Sequence, residues 1–336
     1  MDLMPDDELV EIERTVAAWL AAKLPVQGRG RDHVNTGPEI DPSLWADVAA
    51  LGWLGLGLPE SAGGAGCTLV EEAVLFRELG RVVAPGPFLP TVLAAHLAVA
   101  AADHDLASAL IAGTVGVALG TASGPLEIGD RVVGSLSITH ARDASVVLVC
   151  DAGGAALVRS ADLAVQPIDP VDGTVSMATG RADNAVPVAR VGPAAGIRER
   201  GLVLAAATGV GLAMGALAIG AEYATQRQQF GKAIGTYQAI KHPLADAATR
   251  SDAADAQVAY AAVAVRDGSP GAAMEAVVAK WAADEAARRT ADAVVQVHGA
   301  MGFTAEATPY RYVLRAHVLG RTLALRAELL DELVTA

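Results

Sequence analysis

Residues 227–232 read Arg-Gln-Gln-Phe-Gly-Lys, and they follow closely on a long apolar stretch, residues 201–221. This stretch consists largely of Ala and Gly and contains no charged residue, which is typical of a helix that is buried on all sides. Gly231 and Gly235 then allow the backbone to turn tightly, because glycine accepts conformations that other residues avoid. The sequence therefore predicts a buried helix, an arginine at its end and a tight turn after it.

The same apolar stretch is long enough to span a bilayer, so a membrane helix has to be considered. Its small residues favour close packing between helices instead, and the charged residues Glu222 and Arg227 follow directly. No other segment of the sequence is a comparably clean span. We therefore expect a core helix and no membrane insertion.

On either side of this helix the sequence changes character. Residues 1–112 are predicted to form an all-helical domain, because apolar residues recur there at helical spacing. Residues 113–196 contain short β-rich runs separated by Gly-Asp and Gly-Gly turns, which predicts a β domain. Residues 197–336 are Ala-rich and predict a helical bundle. The clearest predicted helices of the first domain are residues 7–22, 42–51 and 70–79.

Within the bundle, two pairs of opposite charge lie four residues apart: Asp284 with Arg288, and Glu285 with Arg289. Residues at this spacing are neighbours on a helix surface. We expect both pairs on an exposed face.

Bulk composition excludes several classes of function. The formal net charge of −13 disfavours nucleic acid and anionic membranes as partners. The seven histidines show no metal-ligand spacing, and Cys67 and Cys150 stand far apart without a CxxC pattern, so we expect no metal site and no disulfide framework. The acidic N-terminus is unlike a signal peptide. A cytoplasmic location is expected.

Two further segments accompany residues 227–232. Residues 296–304 read Gln-Val-His-Gly-Ala-Met-Gly-Phe-Thr, and residues 51–66 contain Pro-Glu-Ser-Ala-Gly-Gly. From the N-terminus onward, the segments at 51–66, 227–232 and 296–304 resemble three motifs of the acyl-CoA dehydrogenase family. These motifs are, in the same order, Pro-Glu-x-x-Gly-Gly, Arg-x-x-Phe-Gly and Gln-x-x-Gly-Gly-x-Gly-Phe-Thr. The resemblance implies an α+β fold with an N-terminal all-α domain, a middle β-barrel domain and a C-terminal four-helix bundle.

The resemblance also implies FAD as the cofactor. The guanidinium of Arg227 suits a bidentate contact with its pyrophosphate, and the ring of Phe230 would cover a ring face. In the family, the loop at residues 296–302 reaches the FAD of a neighbouring subunit, so an oligomer is implied. The implied cofactor-binding residues are Arg227, Gln229, Phe230, Ile234, Tyr237, Gln238, Gln296, Gly299 and Ala300.

The family's catalytic base is a Glu at one of two places, and neither place has one here. The first falls at or beside Leu323 and the second at Gly201. Glu306, just after the Gly-Phe-Thr motif, and Glu199, two residues before Gly201, are the candidate replacements. The family's flavin-facing Glu-Pro-Gly loop is also absent, since Thr121-Ala122-Ser123 stands there.

Three hypotheses follow from the resemblance. In the first, the chain is the base-less subunit of an actinobacterial type of heterotetramer that oxidises bulky acyl-CoAs, with an electron-transfer flavoprotein as acceptor. In the second, it is a self-sufficient homomeric enzyme for acyl-CoA or a carrier-bound acyl group, with a relocated base. In the third, it is a non-catalytic scaffold with a vestigial flavin site.

Overall fold

The first part of the protein is helical, as predicted. The computed structural model describes residues 6–26, 38–304 and 307–335. Asp6 caps the first helix, and Thr68 and Glu71 form a reciprocal capping box at the start of the third, which fixes where these helices begin. The helices are α1 (Asp7–Lys23), α2 (Pro42–Ala50), α3 (Leu69–Arg81), α4 (Phe88–Ala100) and α5 (His104–Ile111).

The middle part is a single curled sheet of seven strands. The strands are β1 (Val117–Ile128), β2 (Val132–Thr139), β3 (Val146–Asp151), β4 (Gly154–Arg159), β5 (Leu163–Ile168), β6 (Met177–Ala185) and β7 (Pro187–Val191). Their order is β5-β6-β2-β1-β3-β4-β7; β1 and β3 are parallel, and the other neighbours are antiparallel. The predicted β domain is therefore confirmed.

Alternation along the strands gives the sheet two apolar faces. Leu119 of β1 and Leu148 of β3 belong to the large core shared with the helices. Ala118, Val147 and Val149, their chain neighbours, belong to a second core inside the curl of the sheet. The sheet thus packs on the helices with one face and forms a second apolar core on the other.

The last part is the helical bundle. Its elements are α6 (Ile197–Gln226), β8 (Gln228–Gln229), β9 (Lys232–Ala233), α7 (Gln238–Arg266), α8 (Ala272–His298), α9 (Pro309–Leu319) and α10 (Arg326–Thr335). The helix α6 packs against α7 and α8, and α9 packs against α6 and α8. The predicted three-part fold is confirmed, whereas the domain boundaries at 112/113 and 196/197 stay predictions.

The apolar helix α6 lies in the core, as predicted. Among the described residues it is the one helix long and apolar enough to cross a membrane, and 72% of its most apolar window is buried inside the protein. Its glycines let α3 approach to backbone contact: a Cβ on Gly211 would overlap the carbonyl of Arg77, and one on Gly80 of α3 would overlap that of Thr208. Close helix packing therefore accounts for the glycines.

One buried arginine of α9 joins all three parts. The Nε of Arg315 donates to Asp172 of the β5–β6 loop (2.6 Å), and its Nη1 donates to the carbonyl of Ala84 after α3 (2.8 Å). Burial raises the pKa of Asp172, but Arg315 and Thr174 outweigh burial and hold that pKa below its ordinary value. The carboxylate is therefore ionised at the junction of the three parts.

The predicted exposed face of α8 is wrong for both acidic residues, since Glu285 is buried as well as the side chain of Asp284, and one of the two predicted pairs forms. Glu285 does pair with Arg289. Asp284 does not pair with Arg288; it is buried against Lys280, whose Nζ also donates to the carbonyl of Leu319 (3.1 Å). Burial raises the pKa of Asp284 above its ordinary value, although Lys280 opposes the shift. Spacing alone could not show that this side of α8 faces α9.

Candidate functional site

The first predicted cofactor segment is a hairpin at the end of α6. The backbone N–H of Arg227 donates to Tyr223 (2.8 Å), which ends the helix, and Ile234 donates to the carbonyl of Arg227 (2.8 Å), which closes the hairpin. Phe230 and Gly231 form its turn with φ of 52° and 78°, as a turn with two left-handed residues requires. Phe230 is 92% exposed.

The side chains of this hairpin contact each other and leave Arg227 free. The hydroxyl of Tyr237 donates to the carbonyl of Gln229 (3.4 Å), and the Nζ of Lys232 lies 4.3 Å from the Tyr237 ring centroid. Gln238 begins α7 and is exposed. Within the described part of the chain, the exposed guanidinium of Arg227 has no acceptor. It is available to an anionic ligand.

The second predicted segment lies at the end of α8. Gln296 is exposed on its last turn, and Gly299 and Ala300 are exposed in the 3-10 turn that follows. Gly299 has φ of 62°, and a Cβ built on it would meet no atom within 4 Å. Phe303, at the end of the turn, is 79% exposed. This segment also presents open backbone and an unburied aromatic ring.

The structure brings the two segments together at one end of the bundle. The helices α6 and α8 run parallel, since Gly209 faces Ala283 and Gly220 faces Val294. The ring of Tyr223 stacks on that of His298, with centroids 4.1 Å apart and an interplanar angle of 20°. Sequence reasoning missed this contact. Its only sequence signal is that Tyr223 precedes Arg227 by one helical turn.

The two predicted base positions also meet, but in the interior. A Cβ on the buried Gly201 would lie 2.9 Å from Leu323 Cδ1 and 3.0 Å from Leu93 Cδ1. The backbone N–H of Leu323 donates to the hydroxyl of Thr121 on β1 (3.1 Å). Leucine side chains therefore fill the place from which a base would act. The segment at Thr121, where the family has its flavin-facing loop, is hydrogen-bonded to the backbone of Leu323.

Of the two candidate replacement bases, Glu199 lies in the described part of the chain, and it is not among the neighbours of Gly201. Glu199 is half-buried at the start of α6 and lies near Cys150 of β3. Burial raises the pKa of the Cys150 thiol to about 12; Arg198 opposes the shift, and Asp151 and Glu199 add to it. Glu306 lies outside the described residues.

A buried carboxylate that sequence reasoning missed lies beside Gly201. Glu72 of α3 accepts from Nε2 of His96 (2.8 Å) and the N–H of Gly57 (3.2 Å), and it pairs with Arg200. Burial raises the pKa of Glu72, but His96 and Arg200 outweigh burial and hold it below its ordinary value. A general base needs a pKa close to the working pH, so Glu72 is a structural ion rather than the missing base. The sequence feature that could have indicated Glu72 is its position on the buried face of α3.

Little space remains near these residues. An apolar cavity of about 70 Å³ lies between α3, α4, β1 and α9, and its lining includes Phe88, Leu119, Thr208 and Thr322. A water molecule occupies about 30 Å³ of liquid volume. The cavity is too small for a long acyl chain or a fused ring system.

Comparison with known proteins decides the family. The N-terminal domain of acyl-CoA dehydrogenases matches residues 6–111, and their C-terminal domain matches residues 198–321. The chain is 33% identical to acyl-CoA dehydrogenase IpdE2 of Mycobacterium tuberculosis over 332 residues, which cover 98% of each chain. The chain belongs to the acyl-CoA dehydrogenase family. This family consists of oxidoreductases that act on CH–CH bonds and use FAD as their cofactor.

Solved structures agree with this assignment. The Tcur3481–Tcur3483 steroid acyl-CoA dehydrogenase is 30% identical, with a TM-score of 0.87 and coverage of 98% of this chain and 97% of that one. The ChsE4–ChsE5 complex of M. tuberculosis superposes with a TM-score of 0.86 at 24% identity, covering 100% and 98%. The second likeness shows the acyl-CoA dehydrogenase fold alone.

FAD fits the exposed half of the site. The free guanidinium of Arg227, the exposed Phe230 and the open backbone at Gly299 are what a pyrophosphate and its adenosine require. In the interior, the side chains of Leu323 and Leu93 occupy the space beside Gly201, while the hydroxyl of Thr121 accepts from the N–H of Leu323 and can still donate its own proton. The acyl-CoA dehydrogenase site of this chain is therefore open at its cofactor end and filled at its chemical end.

Proposed function

We propose that this chain is the base-less subunit of a heteromeric acyl-CoA dehydrogenase. Its exposed cofactor segments complete the FAD site of a neighbouring subunit, and that neighbour supplies the carboxylate base. One observation carries the proposal: Gly201 and Leu323, which stand at or beside the two family positions for the base, pack against each other in the buried interior.

The division of labour follows from the reaction. A carboxylate must remove the α proton of the thioester from a desolvated position. FAD, when bound, accepts the hydride that leaves the β carbon. This chain contributes binding: Arg227 holds the pyrophosphate, Phe230 covers a ring face, and Gln296, Gly299 and Ala300 contact the cofactor from the end of α8. Gln229, Ile234, Tyr237 and Gln238 shape the hairpin.

The substrate that we infer is a bulky acyl-CoA of steroid type. The support is the 30% identity to a steroid acyl-CoA dehydrogenase over nearly the whole chain. We further infer an electron-transfer flavoprotein as the electron acceptor, since a structure described as an electron transferring flavoprotein of Acidaminococcus fermentans is among the similar structures. We also infer a cytoplasmic location.

The test is to compare the isolated chain with the chain coexpressed with a Glu-bearing acyl-CoA dehydrogenase subunit from the same genome. Ferrocenium reduction is measured across several acyl-CoAs, including a steroid thioester. The coexpressed complex should turn over, and a Glu→Gln change of the partner's base should abolish turnover while the flavin absorbance persists.

Robust turnover by the isolated chain would refute the base-less subunit. Glu199→Gln and Glu306→Gln would then identify the relocated base. A complex that purifies without flavin would instead favour the scaffold hypothesis.

A further inference from the structure

The ring stack between Tyr223 and His298 is a contact between the two cofactor segments that neither segment needs for its own helix. We propose that this stack fixes the segments relative to each other, so that the end of α6 and the end of α8 bind FAD as one preformed unit. Tyr223 and His298 are then positioning residues. The inference rests on the proposed cofactor role of Arg227 and Gln296.

Tyr223 is rigidly connected to the first segment. Its carbonyl accepts the N–H of Arg227 (2.8 Å), the residue predicted to hold the pyrophosphate. The hairpin cannot move away from this turn, because Gly235 packs on the backbone of Ala224, where a Cβ would lie 2.9 Å from the carbonyl oxygen. A displacement of Tyr223 therefore displaces Arg227.

His298 is just as firmly connected to the second segment. Its Nδ1 donates to the carbonyl of Val294 (2.8 Å), which fixes both the ring orientation and the nitrogen that carries the proton. Gly302 folds back on this residue, and a Cβ on it would lie 3.2 Å from His298 Cβ and 2.6 Å from the carbonyl oxygen of Val295. A shift of the turn after α8 would therefore shift the ring of His298 as well.

The need for such a link follows from exposure. Both segments extend past the ends of their helices, and Phe230 and Phe303 have little protein around them. Fixing two groups before binding removes an ordering cost that would otherwise weaken the complex. A stacked aromatic pair contributes about 0.5–1.5 kcal/mol, so its loss should weaken FAD binding by about two- to tenfold.

The experiment is a double-mutant cycle read as FAD affinity. Tyr223→Leu, His298→Leu and the double variant are prepared in the FAD-loaded assembly, with the partner subunit where one co-purifies. The FAD dissociation constant is measured from the flavin fluorescence released on dilution. Each single variant should bind FAD about two- to tenfold more weakly, and the double variant should be no weaker than the weaker single variant.

Two controls separate stacking from general damage. His298→Phe keeps a ring but loses the bond to Val294, and it should retain most of the affinity. Tyr260→Leu removes a partly exposed tyrosine of α7 and should not change the dissociation constant. If the single effects simply add in the double variant, or if His298→Phe is as weak as His298→Leu, the two rings do not act as a unit and the inference is wrong.

A further variant separates this inference from the function on which it rests. Arg227→Ala should weaken FAD binding whether or not the stack matters. If Arg227→Ala has no effect, the proposed cofactor role is wrong and the inference falls with it. If Arg227→Ala weakens binding but the leucine variants do not, only the positioning role is refuted.

Discussion

The two ends of α6 differ in their exposure and in the side chains that surround them. At its C-terminal end, Arg227 and Phe230 are exposed, and the arginine has no acceptor within the described ranges. Near its N-terminal end, Gly201 is pressed against Leu323 and Leu93. One helix therefore has a cofactor end that is kept open and a chemical end that is filled. A cofactor motif in this family indicates contact with FAD, and it does not by itself indicate a competent active site.

The largest effect is expected when a carboxylate is introduced at the buried end of α6. Leu323→Glu and Gly201→Glu should each leave the isolated chain about 10²–10⁴ below the coexpressed complex in turnover, the usual cost of lacking a positioned base. The reason is that a Cβ at 201 already reaches Leu323, so a glutamate has no room to face a substrate. The measurement is ferrocenium reduction at saturating acyl-CoA, with melting curves as the control for folding. Turnover close to that of the complex in either variant would show that the interior is open.

The open end is tested by removing its charge. Arg227→Ala should lower FAD affinity by about 10–100-fold, since a charge-assisted hydrogen bond contributes about 1.5–3 kcal/mol. The flavin absorbance ratio is measured after identical dialysis of both proteins. Arg190→Ala, on β7, is the control because Arg190 is also an exposed arginine, which pairs with Asp130 outside the two cofactor segments. Equal ratios for Arg227→Ala and the native protein would remove Arg227 from the site.

The close packing of α6 on α3 is tested by adding a methyl group between the two helices. Gly211→Ala should cost about 1–3 kcal/mol in the free energy of unfolding, because its Cβ would overlap the carbonyl of Arg77 and the backbone of α3 has to shift. Gly192→Ala is the control, since a Cβ there meets nothing within 4 Å. Denaturant midpoints decide the matter. A tolerated Gly211→Ala would mean that α3 and α6 can separate, and hence that space could open between them.

The smallest expected effect is a pH dependence that comes from the interior alone. The pKa values of Glu72 and Asp172 are lowered in the folded protein, so their stabilisation is complete above the ordinary carboxyl pKa of about 4 and is lost as pH falls through the folded values. Glu78 and Asp284, whose pKa values burial raises, act in the opposite direction.

Asp172→Asn isolates one of these contributions. The variant should be less stable at pH 7, because the buried Arg315 loses its counter-charge, and its stability should fall less steeply than that of the native protein between about pH 5 and pH 3. Unfolding in urea at several pH values measures the slope. Identical slopes for the two proteins would mean that Asp172 titrates alike in the folded and unfolded chain.

Local patterns predicted the parts of this molecule that depend on neighbours in the chain. The bounds of α1, α2 and α3, the β character after residue 113 and the burial of α6 follow from periodicity, caps and composition. The cofactor role of the ends of α6 and α8 was implied by the family resemblance instead, and it stays a prediction.

What escaped prediction depends on contacts between distant residues. Thr121 and Leu323 are 202 positions apart, and no local pattern pairs them. Glu72 was not singled out from the sequence, because the donors that surround its carboxylate come from other elements. Asp284 was assigned to the wrong face for the same reason. Sequence periodicity shows that a helix has a buried side, but the partner elements decide which polar groups that side can keep.

The ion pair of Arg315 also affects the order in which the chain can fold during its synthesis. Its partners, the carbonyl of Ala84 and the carboxylate of Asp172, leave the ribosome long before the arginine does. Until Arg315 emerges, Asp172 has no counter-charge, and burying a lone carboxylate costs several kcal/mol. The β5–β6 loop is therefore best left hydrated during most of synthesis. The junction between the three parts is therefore completed only when α9, which carries Arg315, has been made.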